Sequence, residues 1–225
     1  MATSLRALQF APTEQAGAVS ALLLRPASAR ALLVLGHGAG AGMRHPFMQA
    51  VAEQLAAQKI ATFRYQFPYM EKGKKSPDSQ TVLRATIVSA VAAAKKVARG
   101  LPLLAGGKSM GGRLTSLVAA EGRLPDVQGL IFFGFPLHAA GKPSSERGAH
   151  LAKVNVPMLF LQGTRDRLAE LGLITPLCRS LGKRATLHIV EGGDHSFHVL
   201  KRSGRTDEEV QNELGETVGS WVSGL

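Results

Sequence analysis

Near the middle of the chain a short apolar run, Leu101 to Ala105, leads directly into G-G-K-S-M-G-G-R, Gly106 to Arg113. A serine flanked by glycines at this spacing, Gly107-Lys108-Ser109-Met110-Gly111, fits the G-x-S-x-G pattern of a nucleophile elbow, a sharp turn from strand to helix. Such a turn strains the backbone at the serine and brings chain and helix so close that the neighbours must lack bulky side chains. Gly107 and Gly111 meet that need. The strand holds Ser109 up at the carboxyl edge of a sheet, and the following helix aims its free N–H groups at the same place. Gly107-Lys108-Ser109 also reads as the end of a phosphate-binding loop, but that motif needs a glycine where Pro102 stands.

The rest of the chain is consistent with an α/β domain. Leu5 to Phe10 and Ala21 to Arg25 read as strands, and Ala31 to Leu35 as a strand buried on both faces. After it comes the loop His37-Gly38-Ala39-Gly40-Ala41-Gly42, and then a helix opened by Pro46 and running to about Gln58. Ile60 to Tyr65 is a strand, followed by a lysine-rich loop and a helix from Gln80 to Ala98 carrying Leu83, Ile87, Val88 and Val91 at helical spacing. Leu101 to Ala105 leads into the elbow, and Met110 to Glu121 is its helix. Val127 to Phe133, Val156 to Leu161 and Ala185 to Val190 complete the strands. A helix spans about Ala169 to Leu181, and a last one opens with the capping-box pattern Thr206-Asp207-Glu208-Glu209. Strands alternating with helices predict one domain over residues 1–225. Its sheet is mostly parallel, of seven or eight strands, with helices on both faces. The segment between Phe133 and Val156 is too short for a substantial lid.

A serine hydroxyl is a weak nucleophile until a base takes its proton, and the base needs a third group to fix its tautomer. In an open parallel sheet these partners sit beyond the carboxyl ends of later strands. Gln162-Gly163-Thr164-Arg165-Asp166 follows one such strand and Glu191-Gly192-Gly193-Asp194-His195-Ser196-Phe197-His198 another. Asp166 and His195 therefore complete the order Ser, Asp, His, with Asp194 and His198 as competitors. His-x-x-His without a third donor of known position is a weak metal pattern, and no metal or other cofactor is implied. The backbone N–H of Met110, together with one from the loop after an early strand, supplies an oxyanion hole. Ala39 is the second donor, with Gly40 the next choice, and His37 braces the loop. Met43, Phe67, Tyr69, Met70, Phe135, Leu137 and Phe197 lie on the same edge, where they either line an acyl pocket or pack in the core.

H-G-A-G at His37, G-K-S-M-G at Gly107, G-T-R-D at Gly163 and G-G-D-H-S-F at Gly192 occur in that order at strand ends. Together they resemble the α/β-hydrolase superfamily over essentially the whole chain. The resemblance is to its small lidless members related to dienelactone hydrolases and to the testis-expressed protein 30-like group. It implies Ser109 as nucleophile, His195 as base and then acid, and Asp166 as the orienting carboxylate. Dienelactone hydrolase proper carries a cysteine nucleophile, so the serine at 109 argues against dienelactone as substrate. The expected activity is hydrolysis of an ester or thioester on a small or acyl-bearing substrate. A binding module on the same scaffold and a cofactor-free perhydrolase are the alternatives.

Twenty-seven Lys and Arg against 16 Asp and Glu give a net charge of +11, which favours anionic ligands. The basic residues are scattered, and aromatic residues make up only 5%, too few stacking platforms for a dedicated nucleic-acid site. No run is long and apolar enough for a membrane span, and the first residues lack a signal-peptide pattern. The single cysteine, Cys178, precludes an internal disulfide and agrees with a cytoplasmic location.

Overall fold

The computed structural model describes residues 3–225; Met1 and Ala2, within the predicted domain, lie outside the described residues. The elements follow in the order β1 (Thr3–Phe10), β2 (Val19–Pro26), β3 (Ala31–Gly36), α1 (Pro46–Ala57), β4 (Ile60–Tyr65), α2 (Pro68–Glu71), α3 (Gln80–Ala98), β5 (Leu103–Lys108), α4 (Met110–Ala120), β6 (Val127–Phe133), β7 (Met158–Gly163), α5 (Leu171–Ser180), β8 (Ala185–Val190) and α6 (Asp207–Ser223). They build an eight-stranded sheet of spatial order β1-β2-β4-β3-β5-β6-β7-β8. β1 and β2 pair antiparallel with each other, and β2 antiparallel with β4. All the remaining pairs, from β4 through β8, are parallel.

The central strands are buried on both faces, and their alternation divides the core in two. Leu33 and Leu35 of β3 face Met48, Val51 and Leu55 of α1 and Val210, Leu214 and Val218 of α6. Leu32 and Val34 face the opposite side, where Leu83 and Ile87 of α3, Leu114 and Val118 of α4 and Ile174 of α5 pack. Each fully buried side chain of this kind contributes about 1.5–3 kcal/mol, so both layers stabilise the sheet between them. The helices start where their caps place them. The His45 ring accepts the Phe47 N–H at 3.2 Å just before Pro46, and Thr206 and Glu209 form a reciprocal capping box on α6.

Several element boundaries differ from the sequence expectation, β1, β2 and β7 by two residues or fewer at an end, and three differences have a visible cause. β5 begins at Leu103 instead of Leu101 and runs on through the glycines to Lys108. Pro102 accepts a bond from Leu32 N but has no N–H to return, so pairing to both neighbours starts after it. α5 begins at Leu171, because Asp166 caps Leu168 N and the Leu168 carbonyl accepts the N–H groups of Leu137 and His138. A one-turn helix, α2, stands where a loop was expected, and its Glu71 accepts both the backbone N–H and hydroxyl of Ser20 on β2. Between β6 and β7 the chain makes only a short 3-10 stretch, Glu146–Lys153, and there is no large lid insertion. Among the described residues no helix is long and apolar enough to cross a membrane.

Candidate active site

Ser109 sits between β5 and α4 with φ 50° and ψ −114°, outside the regions that side-chain-bearing residues favour. The strain is held by close backbone approach on both sides. A Cβ on Gly107 would lie 2.3 Å from the Gly36 carbonyl oxygen, and one on Gly111 would lie 2.5 Å from the same atom. Only glycine fits at these two positions, and β3 thereby presses directly against the turn. Ser109 N donates to the Phe133 carbonyl of β6 at 3.1 Å, which fixes the residue from the other flank.

The loops after β7 and β8 are joined to each other before they reach the serine. Thr164 N donates to the Val190 carbonyl and Arg165 N to that of Gly193, at 3.1 and 2.9 Å. This brings Asp166 and His195 together: His195 Nδ1 lies 2.7 Å from Asp166 Oδ2, and His195 Nε2 lies 2.8 Å from Ser109 Oγ. The carboxylate is acceptor only, so Nδ1 carries the proton and Nε2 presents a lone pair to the hydroxyl. Asp166 is buried, and it also accepts Leu168 N at 2.8 Å and Gln162 Nε2 at 2.6 Å. Gln162 is itself fully buried and accepts Phe135 N at 3.1 Å, so the carboxamide cannot turn away.

The competing residues point elsewhere. Asp194 Oδ1 accepts the backbone N–H groups of Ser196 and His198 at 2.8 and 3.0 Å, closing its own loop. His198 Nδ1 lies 2.7 Å from Asp207 at the start of α6, and both are exposed. Asp207 hydrogen-bonds and attracts the His198 ring, raising its pKa. Among the described residues no group of three or more His, Cys, Asp or Glu side chains gathers as a metal site would require.

The loop after β3 takes up the other side. His37 is fully buried; its Nε2 accepts Phe67 N at 3.2 Å, which leaves the proton on Nδ1, donated to the Gly38 carbonyl at 2.7 Å. Burial lowers its pKa to about 4, outweighing the bond to Gly38, so the ring is neutral. Gly38 to Ala41 forms a turn closed by Ala41 N to Gly38 O at 3.2 Å, with Gly40 at φ 71°. Gly40 N donates to the Tyr69 hydroxyl at 3.0 Å, so that amide is engaged. Among the described residues neither the Ala39 nor the Met110 amide donates to a protein acceptor. Two unpartnered donors thus flank the serine, one on the turn and one at the first residue of α4.

These groups open into a cavity of about 320 Å³ that holds Ser109 and His195 and is walled by Ala39, His45, Phe47, Met48, Lys108 and Leu168. The apolar residues named from sequence do not line it. Met43, Phe67, Tyr69, Phe135, Leu137 and Phe197 are buried in the core instead, and Met70 packs against it. Phe67 and Tyr69 lie on the far side of the loop that His37 braces, stacked with a centroid distance of 6.4 Å. The wall comes instead from the first turn of α1, which the sequence marks only by His45-Pro46-Phe47. Gln162 was also missed; its signal is a lone polar residue closing an otherwise apolar strand.

Solved structures with the same architecture are numerous. A dienelactone hydrolase from Anabaena variabilis superposes with a TM-score of 0.75 at 20% identity, covering 97% of this chain and 96% of that one. A serine hydrolase without lid from Xanthomonas campestris gives 0.75 at 20% identity over 98% and 96% of the two chains. The protein Est1E from Butyrivibrio proteoclasticus gives 0.72 at 17% identity, covering 96% and 99%. At these identities the likeness establishes the fold. The family described as "Alpha/beta hydrolase domain" matches residues 29–223, all but the first hairpin and the last residues. The chain therefore belongs to the α/β-hydrolase superfamily, as a hydrolase of its lidless kind.

Proposed function

We propose that this protein is a serine-dependent hydrolase of carboxylic esters or thioesters, with Ser109 as nucleophile, His195 as general base and then acid, and Asp166 as the orienting carboxylate. The observation that carries this reading is the continuous chain Asp166 Oδ2 to His195 Nδ1 to His195 Nε2 to Ser109 Oγ, at 2.7 and 2.8 Å. His195 takes the hydroxyl proton as Ser109 Oγ bonds to the acyl carbon. The oxygen that becomes anionic is held by the Ala39 and Met110 amides. His195 then protonates the departing alkoxide or thiolate, and the acyl-serine is left. A water, deprotonated by the same ring, releases the acid and restores Ser109. His37, Gly38, Gly40, Gly107 and Gly111 support this geometry.

A cavity of about 320 Å³ with no lid suits a short acyl group or the exposed end of a larger molecule. The net charge of +11 draws anionic substrates toward it. The test is labelling with a fluorophosphonate probe, read by mass spectrometry, alongside Ser109→Ala and His195→Ala. Stoichiometric modification of Ser109 that collapses in His195→Ala is the expected result. Folded protein that takes no label would transfer the weight to a binding module on this scaffold, and label on another residue would mean a different nucleophile.

A further inference from the structure

The residue before the nucleophile is a lysine whose side chain turns into the protein instead of out to solvent. Lys108 closes β5 and is buried. Its Cγ passes under the oxyanion-hole loop, where a side chain on Gly38 would lie 3.6 Å away. The ammonium then enters a slot made by three separate segments. Nζ donates to the backbone carbonyl of His195. It lies 5.9 Å from the centroid of Phe47 on α1 and 5.6 Å from that of Phe197 in the histidine loop. A Cβ on Gly134, after β6, would stand 3.0 Å from it, so the fourth wall is bare backbone. Phe47 and Phe197 are themselves stacked, 5.7 Å apart and 8° from parallel.

Two partners of this ammonium, the His195 carbonyl and the Phe197 ring, belong to the loop that carries His195, and the Phe47 ring stacks on Phe197. Phe197 is a non-glycine residue at φ 63°, a conformation that costs energy unless the surroundings hold it. The stacked ring and the cation against it are those surroundings. A substrate carboxylate would find the ammonium already enclosed.

We propose that Lys108 is a positioning residue: its ammonium ties the elbow strand to the backbone of His195 and the ring of Phe197, and so sets the imidazole against Ser109. This rests on the acyl-transfer reading of Ser109 and His195. Burial lowers the lysine pKa to about 8, against the opposing attraction of Asp166 and Asp194. The tie is therefore complete below that pH, and it weakens as the ammonium loses its charge above it. The titratable groups around it are Asp166, Asp194 and His195, with His45 across the cavity.

The experiment compares wild type, Lys108→Met, which keeps the stem without the charge, and Phe197→Leu, which removes one ring and leaves the ammonium. Amide hydrogen exchange over residues 194–198 is measured with fluorophosphonate labelling rates and ester turnover from pH 6 to 10. The expected result is faster exchange over residues 194–198 in both variants. In Lys108→Met, kcat falls on the order of 10- to 100-fold with KM little changed, the cost of a nucleophile–base pair held about 1 Å out of place. Wild-type rates drop as pH rises through about 8, and Lys108→Met loses that limb. Unchanged exchange in a folded Lys108→Met, or wild-type kcat with the same basic limb, would overturn the proposal. Should wild type itself take no label, the acyl-transfer reading falls. Exchange over residues 194–198 then still decides whether the ammonium holds the loop.

Discussion

Two loops at the same edge of the sheet each carry a histidine, and their surroundings could hardly be less alike. His37, after β3, is sealed from solvent, bonds only to backbone, and is held neutral by burial. His195, after β8, reaches the cavity and is suspended between a carboxylate and a hydroxyl. Both rings have a fixed tautomer with the proton on Nδ1. In one the partner of that proton is a carbonyl, which locks a turn. In the other it is a buried carboxylate, which in the proposed reaction stabilises the cation formed when Nε2 takes a proton. The acceptor behind the ring, not the ring, is what differs between the two sites.

The sharpest way to break the comparison is to remove each histidine loop's function in turn. Ser109→Ala and His195→Ala should each lower kcat by on the order of 10⁴- to 10⁶-fold in an ester assay, with unfolding midpoints at or above wild type. A His195→Ala protein that keeps more than a tenth of its turnover would contradict the roles drawn here. Asp166→Asn should cost roughly 10⁴-fold, because an amide can donate to Nδ1 and so permits the wrong tautomer. Gln162 Nε2 and Leu168 N each donate to one of the two carboxylate oxygens, so the NH2 group of an asparagine would also face another donor on either side.

His37 should answer in stability first. His37→Ala leaves Phe67 N and the Gly38 carbonyl unpartnered in a buried site, at a cost of about 2–4 kcal/mol measured by urea unfolding. Its pH signature has a definite sign. The pKa is 6.5 in the unfolded chain and about 4 in the fold, so the unfolded state binds more protons between those values. The contribution is fully present above pH 6.5 and is lost as pH falls to about 4. At about 1.4 kcal/mol per unit this amounts to roughly 3 kcal/mol. His150, lowered to about 4 by burial and then by Arg113, adds a slope of the same sign in the same window. His37→Gln should flatten part of that acid limb, and an unchanged limb would mean the ring is not sealed.

The smallest effect sharpens the choice of oxyanion donor. Tyr69→Phe releases Gly40 N from its hydroxyl partner and should change kcat by only about threefold, near the worth of one ordinary hydrogen bond. A rise in kcat beyond that would mean that the freed Gly40 amide, not that of Ala39, donates to the oxyanion.

The strand and helix framework was legible because its signals are local. Apolar runs, Pro46 and the Thr206 capping box specify elements without reference to the rest of the chain. The order Ser109, Asp166, His195 was legible because topology places loops after parallel strands at one edge. The cavity wall was not. Phe67 and Phe47 are both aromatic residues at that edge, and which of them faces inward depends on how His37 bends the intervening loop. Gln162 and Lys108 were seen only as sequence neighbours of a strand end. Their value lies in contacts with Phe135, Asp166, Phe197 and His195, which are distant in sequence.

The short connection between β6 and β7 has a kinetic consequence. An enzyme with a closing flap waits on that flap, and its turnover often reports a loop moving on the microsecond-to-millisecond scale. With no large insertion over the cavity here, any acyl transfer at Ser109 has no such gate to wait for. Turnover is then left to the acyl-transfer steps themselves. It should be indifferent to solvent viscosity below the diffusion limit, and an oil–water interface should neither activate it nor introduce a lag.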